Sequence, residues 1–291
     1  MPAKHIEKFT VRFYECDAYG HLNNANYLRF MQEAAFQASA AVGLDYATYR
    51  KMGKLWLIRE SEIEYLRPIR ADDEIEVHTW VIDVRRVISR RTYHFIDPQS
   101  EEILARGYSD WVFIERDSLR PTTIPAEVAK AYIPEGGRGE NVKRQPFPTP
   151  PPPPAGAFSI KRWIDWRDLD GMRHLTNAAY LSYAEDCAMR LAASFGWPFS
   201  RWQEEGIAFV ARKNRIKYHQ AARFDDELEI ETWLYDLRAA SATRYYAFSR
   251  AQDGALLAQL QTYWVLIDFN TGKPTRFPAH FHKVLRPNIA E

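Results

Sequence analysis

The residue pattern of this chain recurs once, at a constant offset of 153 positions. Asp17, His21, Leu22, Asn24, Ala25, Tyr27 and Leu28 return as Asp170, His174, Leu175, Asn177, Ala178, Tyr180 and Leu181. The same offset carries Gly43 to Gly196, Arg59 to Arg212, Tyr65 to Tyr218, Trp80 to Trp233, Tyr93 to Tyr246 and Trp111 to Trp264, with no insertion or deletion. A copy of roughly 130 residues is an ordinary folding unit. A period this long marks a duplicated domain, not a solenoid. The expected organisation is a first domain over 1–132, a linker over 133–157 and a second domain over 158–291.

The linker carries Pro134-Glu135-Gly136-Gly137-Arg138-Gly139, then seven prolines between Pro146 and Pro154, five of them consecutive. Consecutive prolines are held in extended polyproline II, and at about 3.1 Å per residue nine residues reach about 30 Å. A spacer is the expected role.

Each copy reads in one order. A short strand (6–14; 159–166) leads into a polar turn, and a helix follows (26–42; 179–195), closed by Gly43 or Gly196, which suit the residue just past a helix end. Tyr27, Phe30, Met31, Ala34, Ala35, Ala38 and Val42 recur at helical spacing and leave a narrow polar stripe. Alternating runs, Glu74–Val81 and Glu227–Leu234, predict strands, as do 91–96, 105–114, 244–249 and 258–267. One apolar helix followed by consecutive antiparallel strands predicts an α+β domain with a sheet curved around its helix.

At 291 residues, 46% hydrophobic and 26% charged, the chain has material for two cores. A net charge of +1 gives no basis for general nucleic-acid binding. Two cysteines cannot frame a disulfide scaffold and fit a reducing compartment. The first eight residues lack the apolar run of a signal peptide, and no stretch reaches membrane-spanning length, so a cytoplasmic, membrane-free protein is expected. The eight histidines show no metal-ligand spacing, and there is no Gly-x-Ser-x-Gly elbow, phosphate loop or dinucleotide fingerprint. No metal or cofactor is expected.

The segment Asp17-Ala18-Tyr19-Gly20-His21-Leu22-Asn23-Asn24 is the most specific feature. It delivers a carboxylate at a strand end, a glycine where the backbone turns and polar groups at a helix entry, where free amides favour negative charge. Asp17 and Asn24 are equally the residue types that cap turns, with His21 a hydrogen-bonded turn residue. The turn, with strand, central helix and strands around it, closely resembles the hotdog fold of the 4-hydroxybenzoyl-CoA and acyl-CoA thioesterases. The tandem arrangement resembles the double-hotdog acyl-ACP thioesterases. The resemblance implies two hotdog domains pairing into an intramolecular pseudo-dimer, whose further assembly into homo-oligomers it leaves open.

It further implies hydrolysis of an acyl-CoA or acyl-carrier-protein thioester. Asp17 would be base or nucleophile, the backbone at Gly20 and His21 would polarise the carbonyl, and Asn24 would order the turn. In the second copy, Asp170, His174 and Asn177 keep the pattern, but Arg173 replaces the glycine and Thr176 the first asparagine. The first motif is therefore the better preserved, although the plant-type enzymes of the family carry theirs in the C-terminal copy. Glu33, equivalent to Asp186, is a candidate second carboxylate on the helix. Arg59 and Arg212, expected just before a strand, are candidates for a pantetheine phosphate, and Tyr27 and Tyr180 for substrate contact. Two rivals remain: a non-hydrolytic acyl-CoA binder, kept open by the altered second motif, and a hotdog hydratase or dehydratase, whose relatives place His with Asp or Glu differently.

Overall fold

The alternating segments form strands longer than their pattern requires, because pairing continues through residues that the alternation alone leaves ambiguous. The structure is a computed structural model describing residues 2–135, 139–140 and 142–290, with only the backbone of residues 279, 280 and 282. Gly136, Gly137 and Arg138 of the expected linker lie outside the described residues. The chain divides into two compact units, Met1–Pro146 and Phe147–Glu291, so the 133–157 stretch is shared between them.

The first unit runs β1 (His5–Thr10), a 3₁₀ turn (Phe13–Glu15), α1 (Asn24–Ala41), α2 (Tyr46–Lys51), β2 (Lys54–Tyr65), β3 (Glu74–Val84), β4 (Ile88–Ile96), β5 (Ile103–Glu115) and α3 (Ala126–Tyr132). Its strands are antiparallel in the order β1-β3-β4-β5-β2. The second unit runs β6 (Phe158–Trp163), a 3₁₀ turn (Trp166–Asp168), α4 (Ala179–Ser194), α5 (Phe199–Glu204), β7 (Ile207–Tyr218), β8 (Glu227–Tyr235), β9 (Ser241–Arg250), β10 (Leu256–Asp268) and α6 (Ala279–Leu285). Its strand order is β6-β8-β9-β10-β7, again antiparallel. Each unit is an α+β hotdog, a sheet packed on one long helix.

Equivalent residues make equivalent cores. On α1, Tyr27 meets Tyr65 edge-on at 4.9 Å and Phe95 at 5.2 Å; on α4, Tyr180 meets Tyr218 at 5.5 Å and Phe248 at 5.2 Å. Such pairs add about 0.5–1.5 kcal/mol beyond the area they bury. Elsewhere the copies diverge. Phe9 stacks on Phe30 at 4.4 Å, and at the same two positions Arg162 lies over the Tyr183 ring at 3.5 Å. At the far end of α1, Ser39, Tyr49 and Tyr132 form a buried hydroxyl chain, Ser39 Oγ to Tyr132 Oη 2.6 Å and Tyr49 Oη to Tyr132 Oη 2.8 Å. Their counterparts are Ala192, Trp202 and Leu285, within an apolar cluster with Trp197, Phe277 and Phe281.

Three expectations are corrected. The leading strands end at Thr10 and Trp163, because the chain turns into 3₁₀ at Phe13 and Trp166; Glu15 caps the first by accepting from the Arg12 amide at 2.7 Å. The first helix begins at Asn24, two residues early, because Asn23 caps it through Oδ1, accepting from the Ala25 amide at 2.9 Å. Arg59 and Arg212 lie inside β2 and β7, each the extra residue of a β-bulge in pairing with β5 and β10.

The linker is anchored at its start. Arg144 pairs with Asp83 and, at 3.3 Å, with Asp110. Asp110 also takes a bidentate pair from Arg90 at 2.8 and 2.7 Å, and Arg90 stacks on Tyr108 at 3.7 Å. In the second unit, Phe147 packs with Trp233 and Tyr245, and Asn288 donates to the Gly156 carbonyl at 3.2 Å. Residues 142–154 hold no helix or strand, as a proline-rich run requires.

Candidate active site

The polar turn is a hydrogen-bonded frame built from backbone before any side chain enters. The Asp17 amide donates to the His21 carbonyl at 2.7 Å and the Gly20 amide to the Asp17 carbonyl at 3.0 Å. Leu22 then ties the turn to Ile69 at 2.7 Å, and Asn23 ties it to Glu15 at 2.9 Å. The second copy repeats each bond. Asp170 donates to His174 at 2.8 Å, Arg173 to Asp170, Leu175 to Ala222 and Thr176 to Asp168, each at 2.9 Å.

This frame forces a left-handed residue at its fourth position. Gly20 has φ 75°, and Arg173 holds φ 62° at the equivalent place. The arginine therefore does not disrupt the turn; it accepts a backbone conformation costing about 1–2 kcal/mol for an L-residue. Gly171 is not among the positive-φ residues, so it does not take over that function.

Within the frame, Asp17 Oδ1 accepts from the Tyr19 amide at 2.8 Å and the His21 amide at 3.1 Å. Asp170 Oδ1 accepts from Met172 at 2.8 Å and His174 at 3.0 Å. One carboxylate oxygen is thus fixed in each copy, and Oδ2 takes no hydrogen bond among the described residues. Burial pushes the Asp17 pKa up against the lowering by the two amides and by His21. Burial lowers that of His21, helped by Arg70 and opposed by Asp17.

The same bonds reassign the amides expected to polarise a carbonyl. In this structure Gly20 N donates to the Asp17 carbonyl and His21 N to its carboxylate. The remaining donors are at the helix entries. At α1 the Ala25 amide is taken by Asn23 Oδ1, whereas α4 has no side-chain cap.

The other candidates are spread apart. Asp17, Gly20, His21 and Asn24 share one turn, and Asp170, His174 and Asn177 the other. Glu33 is exposed and accepts from Gln37 at 2.7 Å; nine residues along α1 from Asn24, it stands about 14 Å away along the axis. Asp186 pairs with Arg190 at 3.0 Å and Arg162 at 3.6 Å. Tyr27 and Tyr180 are core residues, 3% and 2% exposed. Arg59 is half-buried and Arg212 exposed at their bulges.

Sequence reasoning passed over Tyr183, whose hydroxyl donates to Asp168 at 2.9 Å, two residues before Asp170, and accepts from the Asp165 amide at 3.2 Å. A tyrosine at helical spacing reads as core, and only the Phe30-to-Tyr183 change between copies signals more. Among the described residues, no group of three or more His, Cys, Asp or Glu is placed to hold a metal ion, and no helix is long and apolar enough to cross a membrane.

Residues 2–132 match the family model described as the acyl-ACP thioesterase N-terminal domain, and residues 164–285 that of the thioesterase-like superfamily. The chain is 23% identical over 266 residues, 89% of its length, to the chloroplastic acyl-[acyl-carrier-protein] hydrolase FATB3 of Cuphea viscosissima, of which this covers 61%. It is 25% identical over 194 residues to the chloroplastic oleoyl-acyl carrier protein thioesterase of Coriandrum sativum, covering 61% of this chain and 52% of that one. The chain spans about half the length of the curated relatives it matches. Among solved structures, the 12:0-ACP thioesterase of Umbellularia californica superposes with a TM-score of 0.72 at 18% identity, covering 91% of this chain and 94% of that one. An acyl-ACP thioesterase of Bacteroides thetaiotaomicron superposes with a TM-score of 0.69 at 15% identity, covering 90% and 97%.

Proposed function

We propose that the chain is a hotdog-fold thioesterase that hydrolyses acyl thioesters, with a carrier-protein thioester as the favoured substrate and acyl-CoA as the alternative. The observation that carries the reading is the carboxylate held in each copy, fixed through Oδ1 by two turn amides and with no hydrogen bond to Oδ2 among the described residues. Oδ2 takes a proton from water as the water oxygen bonds to the thioester carbon. The tetrahedral intermediate expels the thiolate, which recovers a proton, leaving acid and thiol. A raised pKa moves the Asp17 carboxylate toward the operating pH, where a general base is most effective.

Because the turn amides serve the carboxylate, the developing oxyanion falls to amides at the helix entry, where dipole and unpaired donors both favour it. That arrangement is the more open at α4, which lacks a side-chain cap. The better-preserved motif of the first copy and the uncapped helix of the second are two separate reasons to assign catalysis to Asp17 and to Asp170. We place the protein in the cytoplasm on its two free cysteines, Cys16 and Cys187.

A second reading, binding of acyl thioesters without turnover, is favoured by one observation: both aspartates cap their own turns. Release of free thiol separates the two. The wild-type protein incubated with acyl-carrier-protein and acyl-CoA thioesters of short, long and aromatic acyl groups is expected to release thiol from at least one. Saturable binding with no thiol released from any would replace the hydrolase reading by the binding one.

A further inference from the structure

In each unit the turn that bears the aspartate follows a 3₁₀ turn ending in Glu15 or Asp168. The carbonyl of that last residue accepts from the Asn23 amide in the first copy and from the Thr176 amide in the second, each at 2.9 Å. Asp17 and Asp170 lie two residues further on. Whatever holds Glu15 or Asp168 against the long helix therefore sets where the aspartate stands relative to the helix entry. The backbone bonds coincide in the two copies, but the side chains that do the holding do not.

In the first copy the helix supplies Asn26, buried at 7% exposure, whose Nδ2 donates to the Glu15 carbonyl at 2.7 Å. The Glu15 carboxylate turns back on its own 3₁₀ turn and accepts from the Arg12 amide at 2.7 Å. Neither bond recurs in the second copy. Ala179 stands in the place of Asn26 and has no side-chain donor, and Asp168 is one methylene shorter than Glu15.

The Tyr183 hydroxyl, one helical turn beyond Ala179, makes good both losses. It accepts from the Asp165 amide at 3.2 Å and donates to Asp168 Oδ2 at 2.9 Å. At the same position the first copy has Phe30, stacked on Phe9. The Tyr183 ring is itself held, with the Arg162 guanidinium 3.5 Å from its centre and Arg162 Nη2 donating to Asp165 at 2.9 Å. A tyrosine 2% exposed is tolerated only when its hydroxyl is bonded, and here the bonds go to both ends of the 3₁₀ turn. The three differences between the copies, Glu15 to Asp168, Asn26 to Ala179 and Phe30 to Tyr183, thus form one exchange that keeps the turn tied to the helix.

We propose that Tyr183 is a positioning residue for Asp170, and Asn26 its counterpart for Asp17. Each ties the 3₁₀ turn to the long helix and so places the carboxylate against the helix-entry amides. The inference rests on the hydrolase reading only for its effect on rate.

Amide exchange followed by NMR in the full chain tests the placement without turnover. The reporters in the second copy are the Met172, His174 and Thr176 amides, bonded to Asp170 and Asp168; those in the first are the Tyr19, His21 and Asn23 amides, bonded to Asp17 and Glu15. Tyr183→Phe is expected to speed exchange of the second set about tenfold and to leave the first set unchanged. Asn26→Ala is expected to do the converse. Adding Asp168→Glu and Ala179→Asn to Tyr183→Phe transplants the bonds of the first copy and is expected to restore wild-type exchange. An unmoved second set in Tyr183→Phe, equal acceleration of both sets, or a triple variant as fast as Tyr183→Phe overturns the proposal. Thiol release supplies the second readout. In the copy whose aspartate-to-asparagine variant loses more turnover, Tyr183→Phe or Asn26→Ala is expected to lower kcat about tenfold with KM within about twofold of wild type. An unchanged kcat there overturns the positioning role. If exchange responds as expected but wild type releases no thiol from any thioester, the placement stands and the hydrolase reading alone fails. If thiol is released but exchange does not respond, the positioning proposal alone fails.

Discussion

At the scale of the residue, Asp17 combines a structural and a chemical role that a substitution can separate. Asn keeps the Oδ1 acceptor for the Tyr19 and His21 amides and removes the charge that burial disfavours. With the folded pKa raised above the ordinary value near 3.9, the folded state binds the extra proton between the two values, so this group's contribution falls as pH rises through that interval. Asp17→Asn is therefore expected to melt at or above wild type at pH 7, with the difference disappearing below pH about 4, in paired thermal scans. If Asp17 is the base, the acid limb of the wild-type pH–rate profile lies above the ordinary carboxylate range. Backbone strain is separable in the same way. Arg173→Gly relieves a left-handed φ and is expected to stabilise by up to about 1 kcal/mol, whereas Gly20→Ala introduces that strain with open space around the new methyl and costs about 1 kcal/mol by urea titration. The motif residues were legible because their types and spacing are unusual. The tolerance of Arg173 was not, because φ there is dictated by the bonds on either side of it and no side chain advertises them.

At the scale of the element, the helices and alternating strands were readable from periodicity, and the misses have definite causes. Strands β2 and β7 carry a bulge at Arg59 and Arg212, and an extra residue reverses the phase of the alternation midway, so neither half makes a clear run. The α1 boundary was missed because Asn23 and Asn24 are adjacent and either type suits a cap; Asn23→Ala is expected to cost about 1 kcal/mol, read from the urea midpoint at unchanged m-value. The outer-face network of Arg90, Asp110, Arg144 and Asp83 joins β3, β4 and β5 to the linker. Asp110→Ala strips the buried Arg90 guanidinium of its bidentate partner and Arg144 of one of its two carboxylates, and is expected to destabilise the first unit by about 3–5 kcal/mol. A loss under 1 kcal/mol in equilibrium unfolding would show the pair to be hydrated.

At the scale of the whole molecule, duplication lets the chain specialise two copies of one fold. Backbone frames at the turns coincide bond for bond, while the side chains around them have drifted: Phe9 and Phe30 to Arg162 and Tyr183, Ser39 and Tyr132 to Ala192 and Leu285. Sequence comparison of the copies finds what stayed the same and so favours the first turn, whereas the uncapped α4 shows only in coordinates. The measurement that bears most directly on the central claim is thiol release from acyl-carrier-protein by wild type, Asp17→Asn, Asp170→Asn and the double variant, each checked to melt no lower than wild type. The account predicts that the double variant loses about 10²–10⁴ in rate and that at least one single variant accounts for its share of the loss. A folded double variant that turns over as fast as wild type would contradict it.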